Sequence, residues 1–238
     1  MNQIHIPVMA QEVLDHLLVR EGGIYVDCTL GIGGHSKKIL ETDQNSKIIG
    51  IDLDQQAIEL ARERLKDYLD RVLYIHGNFA ELIKLLEENG VSDVDGVLMD
   101  LGVSSLQFDT PERGFSFRHS ANLDMRMDAT EGQPVSVDVN RESAEKLAEI
   151  IREYGEERWA KKIARTIVAE REKNPINTTT QLANIIERVV SRSGEPIHPA
   201  TRTFQALRIY KNRELENLKE GIEQAVEVLK KDGRICII

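Results

Sequence analysis

At 238 residues and 41% hydrophobic content the chain can bury one good core with a second small domain, and its formal charge of -9 argues against indiscriminate binding to nucleic acid. It opens without a basic stretch followed by an apolar one, and no apolar run reaches the length of a bilayer span, so a soluble, cytoplasmic protein that avoids membranes is expected. Cys28 and Cys236 fall in apolar strand patterns with no His at ligand spacing, so neither a disulfide nor a structural metal is expected.

In chain order, a leading segment with His5, Pro7 and an amphipathic stretch at 11–19 comes first. The pattern then alternates: strand 24–30, helix 37–41, strand 47–53, helix 55–68, strand 72–76, helix 80–89, strand 94–101. Such alternation predicts a parallel sheet covered by helices on both faces. Between the first strand and helix, Gly31, Gly33 and Gly34 make a tight turn in which positive φ is available, no Cβ blocks a ligand, and the free N–H groups of the new helix face outward. That turn is read as a cofactor seat.

Two cofactor classes use such a seat. The dinucleotide fingerprint requires a third Gly or Ala where Ser36 stands, so an oxidoreductase fits incompletely. Asp27, four residues before Gly31, resembles instead the first motif of S-adenosylmethionine (AdoMet) methyltransferases, where an acid accepts from the amino group of the methionine moiety. Asp52 ends the second strand, nineteen positions after Gly33, where a carboxylate can accept from both ribose hydroxyls of an adenosine. Asp54 is read as the cap of the following helix.

Past Gly102 the alternation stops. Residues 102–128 read as a long charged and aromatic loop, followed by helical periods at 144–153, 156–172 and 179–191. The chain returns through 199–230 on an apolar stripe of Leu215, Leu218, Ile222, Ala225, Val226 and Leu229; Gly233 breaks it and 234–238 begins another strand. We therefore expect an AdoMet-binding domain of 1–105 with 213–238, and an inserted helical, substrate-recognising domain of 106–212. Residues 106–212 hold 17 Lys plus Arg against 16 Asp plus Glu, a net +1, so the rest carries -10 and a polyanion would meet the middle first. In that segment Arg113, Arg118 and Arg126 cluster in one loop, better placed for phosphate or base contact than for packing. Met125 and Met127 can equally be gap-filling core. Arg158, Lys161, Lys162 and Arg165 fall at i, i+3, i+4 and i+7, giving four cations on one helix face beside an apolar stripe of Trp159, Ile163 and Ile167.

The segments DCTLGIGGHS (27–36), DLGVSSLQFD (100–109), RGFSF (113–117), LDMRMD (123–128) and HPATRTFQALRI (198–209) together resemble the small-subunit ribosomal RNA cytosine-N4 methyltransferases of bacteria, over the whole chain. The resemblance implies a class I AdoMet-dependent methyltransferase, a Rossmann-like parallel sheet with an inserted all-helical domain, acting on a cytosine amine in the decoding centre of 16S RNA. It places AdoMet contacts on Gly33, Gly34, His35, Asp52, Phe79, Asp100 and Gln107, and the small ribosomal subunit, not DNA, as partner. The family continues past the point where this sequence stops, so a shortened form with an unprotected strand edge, prone to self-association or weak activity, is a further expectation. Where many base-amine methyltransferases carry Asp/Asn-Pro-Pro-aromatic, this chain has Asp100-Leu101-Gly102-Val103, which leaves Asp100 as the candidate catalytic acceptor for the amine protons. A small-molecule methyltransferase is the alternative, but it would favour a compact apolar lid over a long charged insertion.

Overall fold

In a computed structural model, residues 7–190 and 197–238 are described; His5 and Ser191 lie outside them. The chain divides into two compact units, Met1–Gly102 with Glu216–Ile238, and Val103–Leu215.

In the first unit, helix α1 (Ala10–Leu17) is followed by β1 (Ile24–Asp27), α2 (Gly34–Thr42), β2 (Lys47–Asp52), α3 (Gln55–Arg64), β3 (Val72–His76), α4 (Leu82–Glu88) and β4 (Val94–Met99). The five strands, with β5 (Leu229–Ile237), pair in parallel in the order β3-β2-β1-β4-β5. Neighbouring positions alternate faces. Tyr25 and Ile48 pack with Leu17, Ile39, Leu40 and Leu65, whereas Val26, Ile49, Ile51, Val97 and Met99 pack with Leu82, Leu85 and Leu86. Both faces are apolar, as a sheet covered on both sides requires. The strands carry near-continuous Val and Ile for that reason, which makes β2, β3 and β4 readable to within two residues of their ends, whereas β1 stops at Asp27, three residues short of the expected end, and β5 begins at Leu229, five residues before the expected start.

The second unit contains α5 (Ser105–Asp109), α6 (Val135–Arg141), α7 (Ala144–Gly155), α8 (Ala160–Arg171), α9 (Thr179–Val189) and α10 (Thr201–Asn212). Leu147, Ile150, Ile163, Ile167, Leu182, Ile186, Phe204 and Leu207 share its core. Ser143 caps α7, and Thr178 with Gln181 forms a capping box on α9. Gly155 lets α7 approach α10 closely, since a Cβ there would lie 2.5 Å from the Arg202 carbonyl oxygen.

Several boundaries differ from the sequence reading, most of all past the first unit's β4. The helix expected from residue 156 begins at Ala160: Glu156, at φ 50, ends α7 in the left-handed region, and the Glu157 carboxylate accepts the Trp159 N–H at 2.7 Å. The returning segment is two helices, α10 and α11 (Glu214–Val228), parted at Arg213 with φ 50. Its apolar stripe is also narrower than expected. Leu215 and Val226 are 51% and 61% exposed, and α11 buries Asn217, Gly221, Ala225 and Val228 instead. Finally, α11 stops at Val228 and β5 starts at Leu229, with its pairing to β4 shifted between Val94 and Gly96. Among the described residues no helix is long and apolar enough to cross a membrane.

Candidate cofactor site

The carboxyl ends of β1, β2 and β4 bring Asp27, Asp52 and Asp100 to one edge of the sheet, where open α/β sheets take their ligands. The turn between β1 and α2 runs over Leu30–Gly33 and is closed by the Gly33 N–H donating to the Leu30 carbonyl at 2.8 Å. Its glycines have different duties. A Cβ on Gly33 (φ 77) would press on Leu65 Cδ1 at 2.9 Å, so this glycine is needed for packing as well as for its left-handed backbone. Over Gly31 (φ 51) the space is open, with no atom nearer than the Thr29 carbonyl oxygen at 3.9 Å. Gly34 begins α2 with Pro7 beside it, 3.4 Å from where a Cβ would stand.

Asp52 is locked to this turn. Oδ2 accepts the Gly31 N–H at 2.7 Å and Oδ1 accepts the Asp54 N–H at 2.8 Å, which fixes the carboxylate plane and leaves further lone pairs on both oxygens. Burial pushes its pKa up to about 6, against the pull of those two N–H groups. Asp54 caps α3, accepting the Gln56 N–H at 3.1 Å, as its place before the helix indicated.

Asp27 is tied into the turn. It is 1% exposed, its oxygens accept the Ser36 hydroxyl at 2.7 Å and the Thr29 N–H at 3.3 Å, and burial raises its pKa. It braces the turn from below. Ser36, which replaces the third glycine of a dinucleotide fingerprint, is therefore the partner of that buried acid. Thr29 joins the bracing, its hydroxyl accepting the Asp100 N–H at 2.7 Å. Sequence reasoning missed Thr29 and Ser36 as supports; a strand-end acid followed by two hydroxyl residues was the available signal.

His35 lies in the first turn of α2 with its side chain 7% exposed, and neither ring nitrogen has a hydrogen-bond partner. Nε2 is 3.6 Å from Asp100 Oδ2, and the Asp100 side chain is 41% exposed. The Phe79 ring is half-buried against the apolar cluster of Val26, Ile75 and Leu82, and Gly221 makes room for it: a Cβ there would lie 2.5 Å from the ring. Gln107, in the second unit, is 4% exposed and pairs with Ser104 in the capping box of α5, the Ser104 N–H donating to its Oε1 at 3.2 Å.

Two of the three loop arginines make contacts within the loop. Arg113 donates to the carbonyls of Arg126 and Met127 at 3.1 and 2.8 Å. Arg126 grips Asp124 through two 2.7 Å bonds and reaches the carbonyls of Glu131 and Gly132. Both guanidiniums hold the loop together rather than face outward. Met125 is fully buried at φ 62 and Met127 packs on the same core, so the methionines are core. Arg118 does remain exposed, 5.2 Å from the Phe108 ring centroid, in a surface cleft with Ser116 and His119. Arg158 lies before α8, near the Trp159 ring. Lys161, Lys162 and Arg165 are exposed on α8, while Ile163 and Ile167 are buried and Trp159 is partly buried on the opposite stripe.

A family model described as the MraW methylase family matches residues 2–238, nearly the whole sequence. The chain belongs to the MraW methylase family. This MraW methylase is 52% identical over 237 residues to the ribosomal RNA small subunit methyltransferase H of Geotalea uraniireducens (strain Rf4), a match covering 98% of this chain and 76% of that relative. It is 49% identical over 239 residues to the protein of that name from Clostridium botulinum (strain Kyoto / Type A2), and 48% identical over 235 residues to the one from Caldicellulosiruptor saccharolyticus (strain ATCC 43494 / DSM 8903 / Tp8T 6331), with the same coverage in both cases. Its five-stranded parallel sheet with helices is the class I AdoMet-dependent methyltransferase fold that the sequence implied, and AdoMet is its cofactor.

Proposed function

We infer that this MraW methylase transfers a methyl group from AdoMet to the N4 amine of a cytosine in the decoding centre of 16S ribosomal RNA, in the cytoplasm. The relatives' shared name supports the small-subunit RNA as substrate, and the motif resemblance supports the cytosine amine. The observation that carries the reading is the pairing of an unobstructed Gly31 with a carboxylate pinned beside it. A half-buried acid held by two N–H groups, with lone pairs left over, suits a pair of vicinal hydroxyls; the open glycine lets a nucleoside approach the backbone; and the orphaned ring of His35 supports a site completed by another molecule.

AdoMet supplies a methyl carbon activated by its sulfonium. The protein does the rest by binding and placement. Asp52 accepts the ribose hydroxyls. Gly33 and Gly34 shape the turn, and Phe79 borders the site from the end of β3. Cytosine's amine is conjugated with its ring and weakly nucleophilic, so an acceptor must draw on its hydrogens while the lone pair attacks in line; the half-exposed Asp100 carboxylate serves. Lys161, Lys162 and Arg165, together with Arg118, offer phosphate contacts that position a strand while a base turns inward.

The test is methylation of stripped small subunits with methyl-labelled AdoMet, followed by nucleoside analysis. Label in N4-methylcytidine is expected. Label in another nucleoside would overturn the assignment to the amine, and unlabelled RNA would overturn the RNA reading as a whole.

A further inference from the structure

The environment of His35 is not accounted for by packing. An imidazole sealed from water with both nitrogens unsatisfied costs roughly 1–3 kcal/mol, and a native structure keeps such a cost where the working protein uses the group. Helix α2 has no geometric need for histidine at its second position. What the ring does have is a neighbour: Nε2 lies 3.6 Å from Asp100 Oδ2, about half an ångström outside hydrogen-bond range.

Asp100 is held from behind and free in front. Its backbone N–H is fixed on Thr29 Oγ1 at 2.7 Å, while its carboxylate has no hydrogen-bond partner among the described residues and is 41% exposed. Behind the pair, Asp27 couples electrostatically to both, but it is 1% exposed beneath the turn, tied to Ser36 and Thr29, and cannot be reached by a substrate amine. Asp100 is thus the open acceptor facing His35.

We propose that His35 is the positioning residue for Asp100, its Nε2–H closing onto Oδ2 when the cofactor site fills and turning Oδ1 toward the target amine. The proposal rests on the methyl-transfer reading above and deepens it. The balance of the step is simple. The amine lone pair forms the N–C bond as the C–S bond breaks with its electrons going to sulfur; one amine proton then passes to Oδ1, and from the exposed carboxyl to water. His35 keeps its proton throughout. A carboxylate anchored through one oxygen presents the other in a single orientation, which is the entropic part of the gain.

The experiment has two arms. In the first, a crystal structure of the full chain with S-adenosylhomocysteine should show the Nε2–Oδ2 distance shortened to hydrogen-bond length; a distance of 3.6 Å or more would overturn the pairing whatever the substrate proves to be. In the second, single-turnover methylation of stripped subunits at saturating AdoMet is measured for His35→Leu, His35→Gln, Asp100→Asn and the double variants, each checked for folding by thermal melting. His35→Leu should slow the step about 100-fold, and His35→Gln, which keeps a donor at similar reach, should recover most of that. In the Asp100→Asn background, His35→Leu should cost less than about threefold more, because the two act as a unit. Independent, multiplicative losses, or Gln no better than Leu, would overturn the positioning role. If wild-type protein leaves subunits unmethylated, the proposed function fails while the distance in the first arm still decides the pairing.

Discussion

The two units use the same kinds of side chain in opposite ways. At the edge of the sheet, polar groups are left with capacity to spare: lone pairs on Asp52, an open carboxylate on Asp100, and both nitrogens of His35. In the loop that follows α5, the polar groups close on one another. Arg113 and Arg126 cap main-chain carbonyls, Asp124 is gripped by Arg126, and Asn212 bridges the Met127 N–H at 2.7 Å and the Met125 carbonyl at 2.8 Å. A charged motif is a site only where the backbone has not already satisfied it. By that criterion LDMRMD is a folding device that keeps Met125 buried at positive φ, and the outward charge of the helical unit resides on α8 and Arg118.

The largest effect should come from breaking the closed set. Although burial alone would raise it, the Arg126 guanidinium holds the Asp124 carboxyl below the usual carboxylate range, so this pair's contribution is present above that range and is lost as pH falls through the lowered value. Replacing Arg126 by Gln removes charge-assisted bonds from a partly buried acid and should destabilise the protein by about 2 kcal/mol at neutral pH, with the deficit narrowing in acid. Denaturant titration at two pH values checks this. A variant as stable as wild type that binds RNA poorly would return Arg126 to the interface.

The open set on α8 should behave in reverse. Changing Lys161, Lys162 and Arg165 to Gln should leave stability within about 0.5 kcal/mol, since the side chains are exposed and only Lys162, 5.5 Å from the Trp159 ring centroid, loses a contact. Binding to stripped subunits should weaken, and the slope of log affinity against log salt should flatten by roughly 0.7 for each phosphate that is no longer neutralised. Filter binding over a salt series measures it, and an unchanged slope would make the face plain solvated surface.

Much of the sheet unit was legible because its strands are unbroken apolar runs that end in carboxylates, and Asp54 could be read as a helix cap by position alone. What escaped notice was set by contacts distant in sequence or by single backbone residues. Nothing in the sequence says that Ser36 will reach Asp27. The contacts of Arg113 and Arg126 could not be read, because main-chain carbonyls leave no trace in a sequence. Helix α6 went unread, since β-branched Val135, Val137 and Val139 mask a short helical period, and α8 was begun too early because Glu156 is a non-glycine residue in the left-handed region. Leu215 and Val226 made a stripe by spacing that the packing of α11 does not use.

The seat at Gly31 and Asp52 is tested most directly by calorimetric titration of AdoMet into wild type and Asp52→Asn between pH 5 and pH 8. Burial raises Asp52 to about 6, so the folded protein holds the neutral acid only below that pH and loses stability as pH rises through it, whereas cofactor affinity runs the other way because the ionised form accepts the hydroxyls. Wild-type affinity should therefore fall about tenfold from pH 7 to pH 5, and Asp52→Asn, folded by its melting curve, should bind weakly with no such dependence. Wild-type affinity that is flat across this range, or a variant that binds as wild type does, would contradict the account.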